Sequence, residues 1–236
     1  MSLADYEERL DNLKKDILDE KYQKNKYCFI SWIKWKQSIN STVLEPMLKQ
    51  IKKFKKDQDM NIIKLVRLVY MTESSDFTDS SFREQYQTLR SEMLEILYSY
   101  PYWPTDKKNR EKNISRIIFW SENHLFMHLS SGYLMQQLRA RESGDKSFKF
   151  EENAECKYLL QYLDVHLHAL FGKGVYEVLS HVYLPLTLSA LLNLYDFAEN
   201  ETLKKKAEEL VDRIVYLVML CSDPLSGIAT FTGTCL

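Results

Sequence analysis

Apolar residues recur along this chain at spacings of three and four, the period of a helix that buries one side. From Leu3 to Lys21, Leu10, Leu13, Ile17 and Leu18 alternate with charges and predict an amphipathic first helix. Tyr27 to Ile39 sets Phe29, Trp32 and Trp35 along one helical side. Thr42 is a candidate cap for a third helix through Leu44, Met47, Leu48, Ile51 and Phe54. Met60 to Met71 predicts a short buried helix, Thr72 to Ser81 a polar loop, and Phe82 to Tyr98 a helix with Glu84, Arg90, Glu92 and Glu95 outward.

Pro101 and Pro104 forbid a continuing helix across Tyr98 to Asp106. Lys107 to Lys112 is a charged connector, and a central helix then runs to about Arg141. A turn at Ser143 to Lys149 leads to a helix over roughly Glu151 to Phe171, stopped by Gly172 and Gly174. Val178 to Ala198 is apolar on nearly every side, the mark of a helix enclosed in a larger assembly, and Pro185 should kink or divide it. Thr202 is the candidate cap of an amphipathic helix through Leu210, Ile214, Leu217, Val218 and Leu220, and Ser222 to Leu236 reads as loop.

About nine helices with short links make an all-α chain, and the alternation of apolar with amphipathic helices suggests two layers. A partial α/α toroid, in one domain over residues 1–236, fits that pattern best. No strict repeat supports a helical solenoid. With only 6 Gly and 5 Pro in 236 residues, turn-rich sandwiches and α/β folds are disfavoured.

Charge narrows the partners. Lys and Arg number 32 against 33 Asp and Glu, so no overall field selects nucleic acid or an anionic membrane. Lys49, Lys52, Lys53, Lys55 and Lys56 read as a solvated helix face rather than a nucleic-acid stripe. Cys28, Cys156, Cys221 and Cys235 are widely separated, which signals neither a zinc knuckle nor a redox dithiol. With no apolar run of spanning length and no opening signal peptide, the chain reads as soluble and intracellular, or as one whose export signal has been removed.

The candidate chemistry centres on Ile117 to His128, where Glu122, Asn123 and His124 stand in a row inside an apolar helical run. Burying three such groups is costly unless partners or a ligand satisfy them, so they line a cleft or knit helices together. Upstream, Tyr102 and Trp103 lie in an aromatic loop suited to stacking on a ring-shaped ligand or to plugging the end of a bundle.

From Tyr102 to Gly233 the chain resembles a family of bacterial α/α-toroid proteins related in fold to polysaccharide lyases of the alginate lyase and heparinase type. Tyr102-Trp103, Phe119-Trp-Ser-Glu-Asn-His124, Glu177-Val-Leu-Ser-His-Val-Tyr183 and Ala190-Leu-Leu-Asn-Leu-Tyr-Asp-Phe-Ala198 carry the resemblance, with a weaker match at Gly227-Ile-Ala-Thr230. It implies that Asn123, His124 and Tyr183 are catalytic, with Tyr102, Trp103, Trp120, Glu122, Glu177 and His181 on the substrate. The implied reaction is β-elimination in an acidic oligo- or polysaccharide, with no metal or organic cofactor. An amide and an imidazole on the uronate carboxylate ease removal of the adjacent proton, and a tyrosine takes or returns a proton. The chain departs from the pattern at Phe231-Thr-Gly-Thr234, where relatives tend to have His and Arg, and at His181, where they tend to have Asn.

Other constellations are weaker. His124 and His128 share a helical side, but the carboxylate an H-E-x-x-H site needs is missing. Ser180, His181 and Asp196 lack a nucleophile elbow. Glu122 and Glu177 would suffice as a glycosidase pair if they face each other across a cleft. Two functions of different kinds thus stand: a polysaccharide lyase, or a non-catalytic helical interaction module with an inherited pocket.

Overall fold

In a computed structural model of the chain, helices form where the apolar period runs unbroken and stop where backbone geometry interrupts it. The structure describes residues 3–19, 29–36, 38, 41–53, 58–73, 77, 79–103, 121–144, 149, 152–172, 180 and 183–221. Among these, all regular structure is helical: α1 (Leu3–Leu18), α2 (Phe29–Lys36), α3 (Ser41–Lys52), α4 (Asp59–Thr72), α5 (Ser80–Ser99), α6 (Glu122–Ser143), α7 (Ala154–Gly172), α8 (Leu184–Phe197) and α9 (Glu201–Leu220). None of them is long and apolar enough to cross a membrane. The connector at Lys107 to Lys112 and the tail from Ser222 lie outside the described residues.

Contacts gather into two compact units, Met1–Ser99 and Tyr100–Leu236. In the first, α1 packs on α2, while α3, α4 and α5 pack on one another. Leu44 and Leu48 of α3, Leu65 and Leu68 of α4, and Met93 and Leu97 of α5 are buried. The short α4 buries Ile62, Ile63, Leu65, Val66, Leu68 and Val69, as its apolar run predicts. Asp79 caps α5 by accepting from the Phe82 N–H at 2.8 Å. Within the basic run, Lys52 pairs with Glu92 of α5 at 2.8 Å, while Lys49 and Lys53 are exposed.

In the second unit α6 packs on α7 and α8, and α9 packs on the same two helices, which closes a circuit of four. The enclosed helix here is α6: every residue from Phe126 to Met135 is buried. Its small residues make that possible. A Cβ on Gly132 would stand 2.8 Å from both Trp103 Cζ2 and Tyr102 Cβ, so only glycine lets the aromatic loop lie so close.

α8, in contrast, keeps an open side that includes Leu192 and Tyr195, although its sequence suggests enclosure all round. Pro185 does not kink it. The helix begins at Leu184, so the proline sits in the first turn, where its missing N–H costs no hydrogen bond. The cap of α9 also differs from the expectation of Thr202. Asn200 takes that place, its side-chain oxygen accepting from the Leu203 N–H at 2.9 Å. At the other end of α6, Gly144 terminates the helix with a φ of 66°, a left-handed conformation that glycine adopts without strain.

One side chain fastens the turn between α8 and α9 to α6. Gln137, buried, donates from Nε2 to the Phe197 carbonyl at 2.9 Å, and its Oε1 accepts from the Glu199 N–H at 2.8 Å and the Tyr133 hydroxyl at 2.7 Å. The same hydroxyl accepts from the Asn200 N–H at 3.4 Å. Gln137→Leu keeps the volume but removes the three hydrogen bonds that the Phe197 carbonyl, the Glu199 N–H and the Tyr133 hydroxyl make to this side chain. Because each buried polar group without a partner costs about 1–3 kcal/mol, urea unfolding should show a loss of about 3 kcal/mol. A loss below about 1 kcal/mol would mean that water replaces the side chain.

Candidate functional site

The site begins at Ser121, whose φ of −95° and ψ of 148° are extended. Helix α6 therefore starts at Glu122, and Glu122, Asn123 and His124 form its first turn instead of lying within a continuous helix from Ile117. The Ser121 side chain makes no cap to a backbone N–H. Its hydroxyl donates to Asn123 Oδ1 at 2.7 Å.

That bond satisfies half of Asn123. The side chain is only 1% exposed, and its Nδ2 has no hydrogen-bond partner among the described residues. A buried donor in that condition costs about 1–3 kcal/mol and calls for an explanation. His124, next in the chain, is half-buried.

Glu122 joins a different cluster. Its Oε1 lies 3.7 Å from His166 Nε2, and its backbone carbonyl accepts from the Tyr162 hydroxyl at 3.3 Å. His166 Nδ1 is 2.8 Å from the Tyr162 carbonyl, which can only accept, so that nitrogen carries the hydrogen and Nε2 faces the carboxylate. Phe126 meets Tyr162 and His166 edge-on, with ring centroids 4.9 and 4.8 Å away. Burial lowers the His166 pKa from its ordinary 6.5, against the pull of the Tyr162 carbonyl.

Tyr183 stands at the N-terminus of α8 and is half-buried, with its backbone N–H on Ser180 Oγ at 3.2 Å. That bond gives Ser180 a part in starting the helix, as does its carbonyl, which accepts from the Leu184 N–H. No hydrogen bond or ring contact joins Tyr183 to Asn123 or His124 among the described residues. Tyr102 and Trp103 are both buried against Gly132, which leaves little of either ring for stacking on a ligand. His128 is also buried, its ring stacked on Tyr100 at 5.8 Å. Trp120, Glu177 and His181 lie outside the described residues.

The described residues contain no group of three or more His, Cys, Asp or Glu side chains able to hold a metal. Cys156 and Cys221 are free thiols. Tyr162, expected on the apolar side of its helix, and His166, expected as an independent surface or core group, instead meet at Glu122. Their i, i+4 spacing was the available signal, since it places both rings on one side of α7. No protein-family model, curated protein or solved structure matches the chain.

The pH dependence of this cluster has a definite sign. With the folded His166 pKa below 6.5, the unfolded chain takes up the proton first as pH falls. Stability should decline as pH drops through 6.5 toward the lowered value, and His166→Phe should flatten that part of the profile. Urea midpoints measured across the range test this. An unchanged slope in the variant would show that His166 is not the group responsible.

Proposed function

We propose that the chain is a carbohydrate-active protein of the polysaccharide-lyase kind, a partial α/α toroid that takes acidic, uronate-containing glycans. The observation that carries the reading is the Asn123 amide: a buried donor with no acceptor among the described residues, in the first turn of α6, within the segment that carries the resemblance. A carboxylate is the acceptor that would best repay such a donor, because a charge-assisted hydrogen bond is roughly twice as strong as a neutral one.

In the proposed reaction Asn123 and His124 bind the uronate carboxylate and stabilise the enolate-like charge that forms when the neighbouring proton leaves. The electron pair released from that C–H bond forms a C=C bond as the C–O bond to the leaving sugar breaks. Tyr183 takes the proton or returns one to the leaving oxygen. With Asn123 1% exposed, the substrate enters only if the wall over α6 opens.

A second reading, a non-catalytic helical interaction module, is favoured by that same sealing and by the burial of Tyr102 and Trp103. Here Asn123 and its neighbours knit helices together. Incubation with a panel of uronic-acid polymers separates the two. The lyase reading expects an unsaturated product absorbing in the ultraviolet, lost in Tyr183→Phe and reduced about a hundredfold in Asn123→Ala. Absence of product across the panel would remove the lyase and leave the module.

A further inference from the structure

In the first unit α1 packs on α2, and Ile17 of its last turn is buried within the chain. Further toward the N-terminus its apolar side stays open. Tyr6 is 56% exposed and Leu13 50%, with Leu10 half-buried between them. Single apolar side chains scattered over a surface are ordinary. These are not scattered. Leu3, Tyr6, Leu10, Leu13 and Ile17 follow one another at intervals of three, four, three and four, the heptad spacing with which two helices pair. α1 has 16 residues, a length at which helical stability comes mostly from packing of the apolar side.

The charges beside the stripe select what covers it. Leu3, Leu10 and Ile17 form one row of the seam and Tyr6 and Leu13 the other, so Arg9 and Asp16 flank it on one edge and Glu7 and Lys14 on the opposite edge. Consider α1 laid antiparallel against itself, with Leu10 beside Leu13 of the second copy. The two-fold axis then sets Arg9 against Asp16 of the second copy, and Glu7 against Lys14 of the second copy. Each pair occurs twice, and every one is attractive. Parallel pairing would instead set Arg9 against Lys14, a repulsion of like charges. Glu7, Arg9 and Asp16 are exposed and form no ion pair among the described residues. Lys14 has an exposed pair with Asp11 of its own helix at 3.5 Å, which gives way at little cost.

We propose that α1 is a self-association surface, on which a second copy of this chain docks antiparallel about a two-fold axis. Leu10 and Leu13 of the two copies form its centre, and Tyr6 lies over the Ile17 turn of the second copy. The surface is independent of the reading of Asn123.

Sedimentation velocity of the full chain, at low ionic strength and up to about 100 μM, tests the assignment. It should show a monomer–dimer equilibrium. Leu13→Glu, at a position half exposed in the monomer, should weaken the dimer by about tenfold or more and leave the far-ultraviolet helix signal unchanged. Arg9→Asp sets carboxylate against carboxylate across the seam and should weaken the dimer about fivefold. Adding Asp16→Arg restores opposite charges and should bring the dissociation constant back to within about twofold of the unsubstituted chain's. A chain monomeric throughout, a dimer insensitive to Leu13→Glu, an Arg9→Asp variant that dimerises as tightly or more tightly, or no recovery in the double variant would overturn the proposal.

Discussion

A buried carboxamide that must satisfy three partners at once organises the second unit. Gln137 offers one donor to Phe197 and one acceptor to both Glu199 and Tyr133, so the turn between α8 and α9 has one seat on α6. Apolar packing alone would let helices slide past each other by small amounts at little cost. Directional hydrogen bonds in a low-dielectric interior do not, since any slip leaves a polar group unmet. Burial pushes the Tyr133 phenol pKa well up, so it stays a neutral donor within this network.

The two ends of α6 use polarity in opposite ways. Toward its C-terminus Tyr133 and Gln137 bond to each other and to the turn before α9, and the helix ends on Gly144. Toward its N-terminus Ser121 donates its hydroxyl to Asn123, and the Asn123 amide nitrogen meets no acceptor among the described residues. The first arrangement fixes structure. The second keeps a donor that no described residue satisfies.

Much of the helix content was legible in the sequence because it follows from apolar spacing and breaker placement. α1, α4, α5 and α7 fall within a few residues of their expected bounds. What the pattern misjudged was which helix is enclosed. Leucine density pointed to α8, but enclosure went to α6, whose Ser130, Ser131 and Gly132 permit close approach of neighbours. Small residues add little to an apolar count, so periodicity undervalues them. Caps were misplaced for a related reason: Thr202 and Asn200 are both good N-caps, and only the backbone decides between them. The candidate site was legible as a list of residue types and not as a geometry. Glu122 turns to His166 and Tyr162 of α7, a pairing across two helices that residue spacing within either one does not reveal.

Amide hydrogen exchange at Glu199 tests the role of Gln137 most directly. The Glu199 side chain is 61% exposed, so without the bond to Gln137 Oε1 its N–H would exchange like that of any surface turn. If the turn is seated as described, this N–H should exchange as slowly as the buried amides of α6 around Leu134. Exchange at the rate of an open loop would contradict the seating.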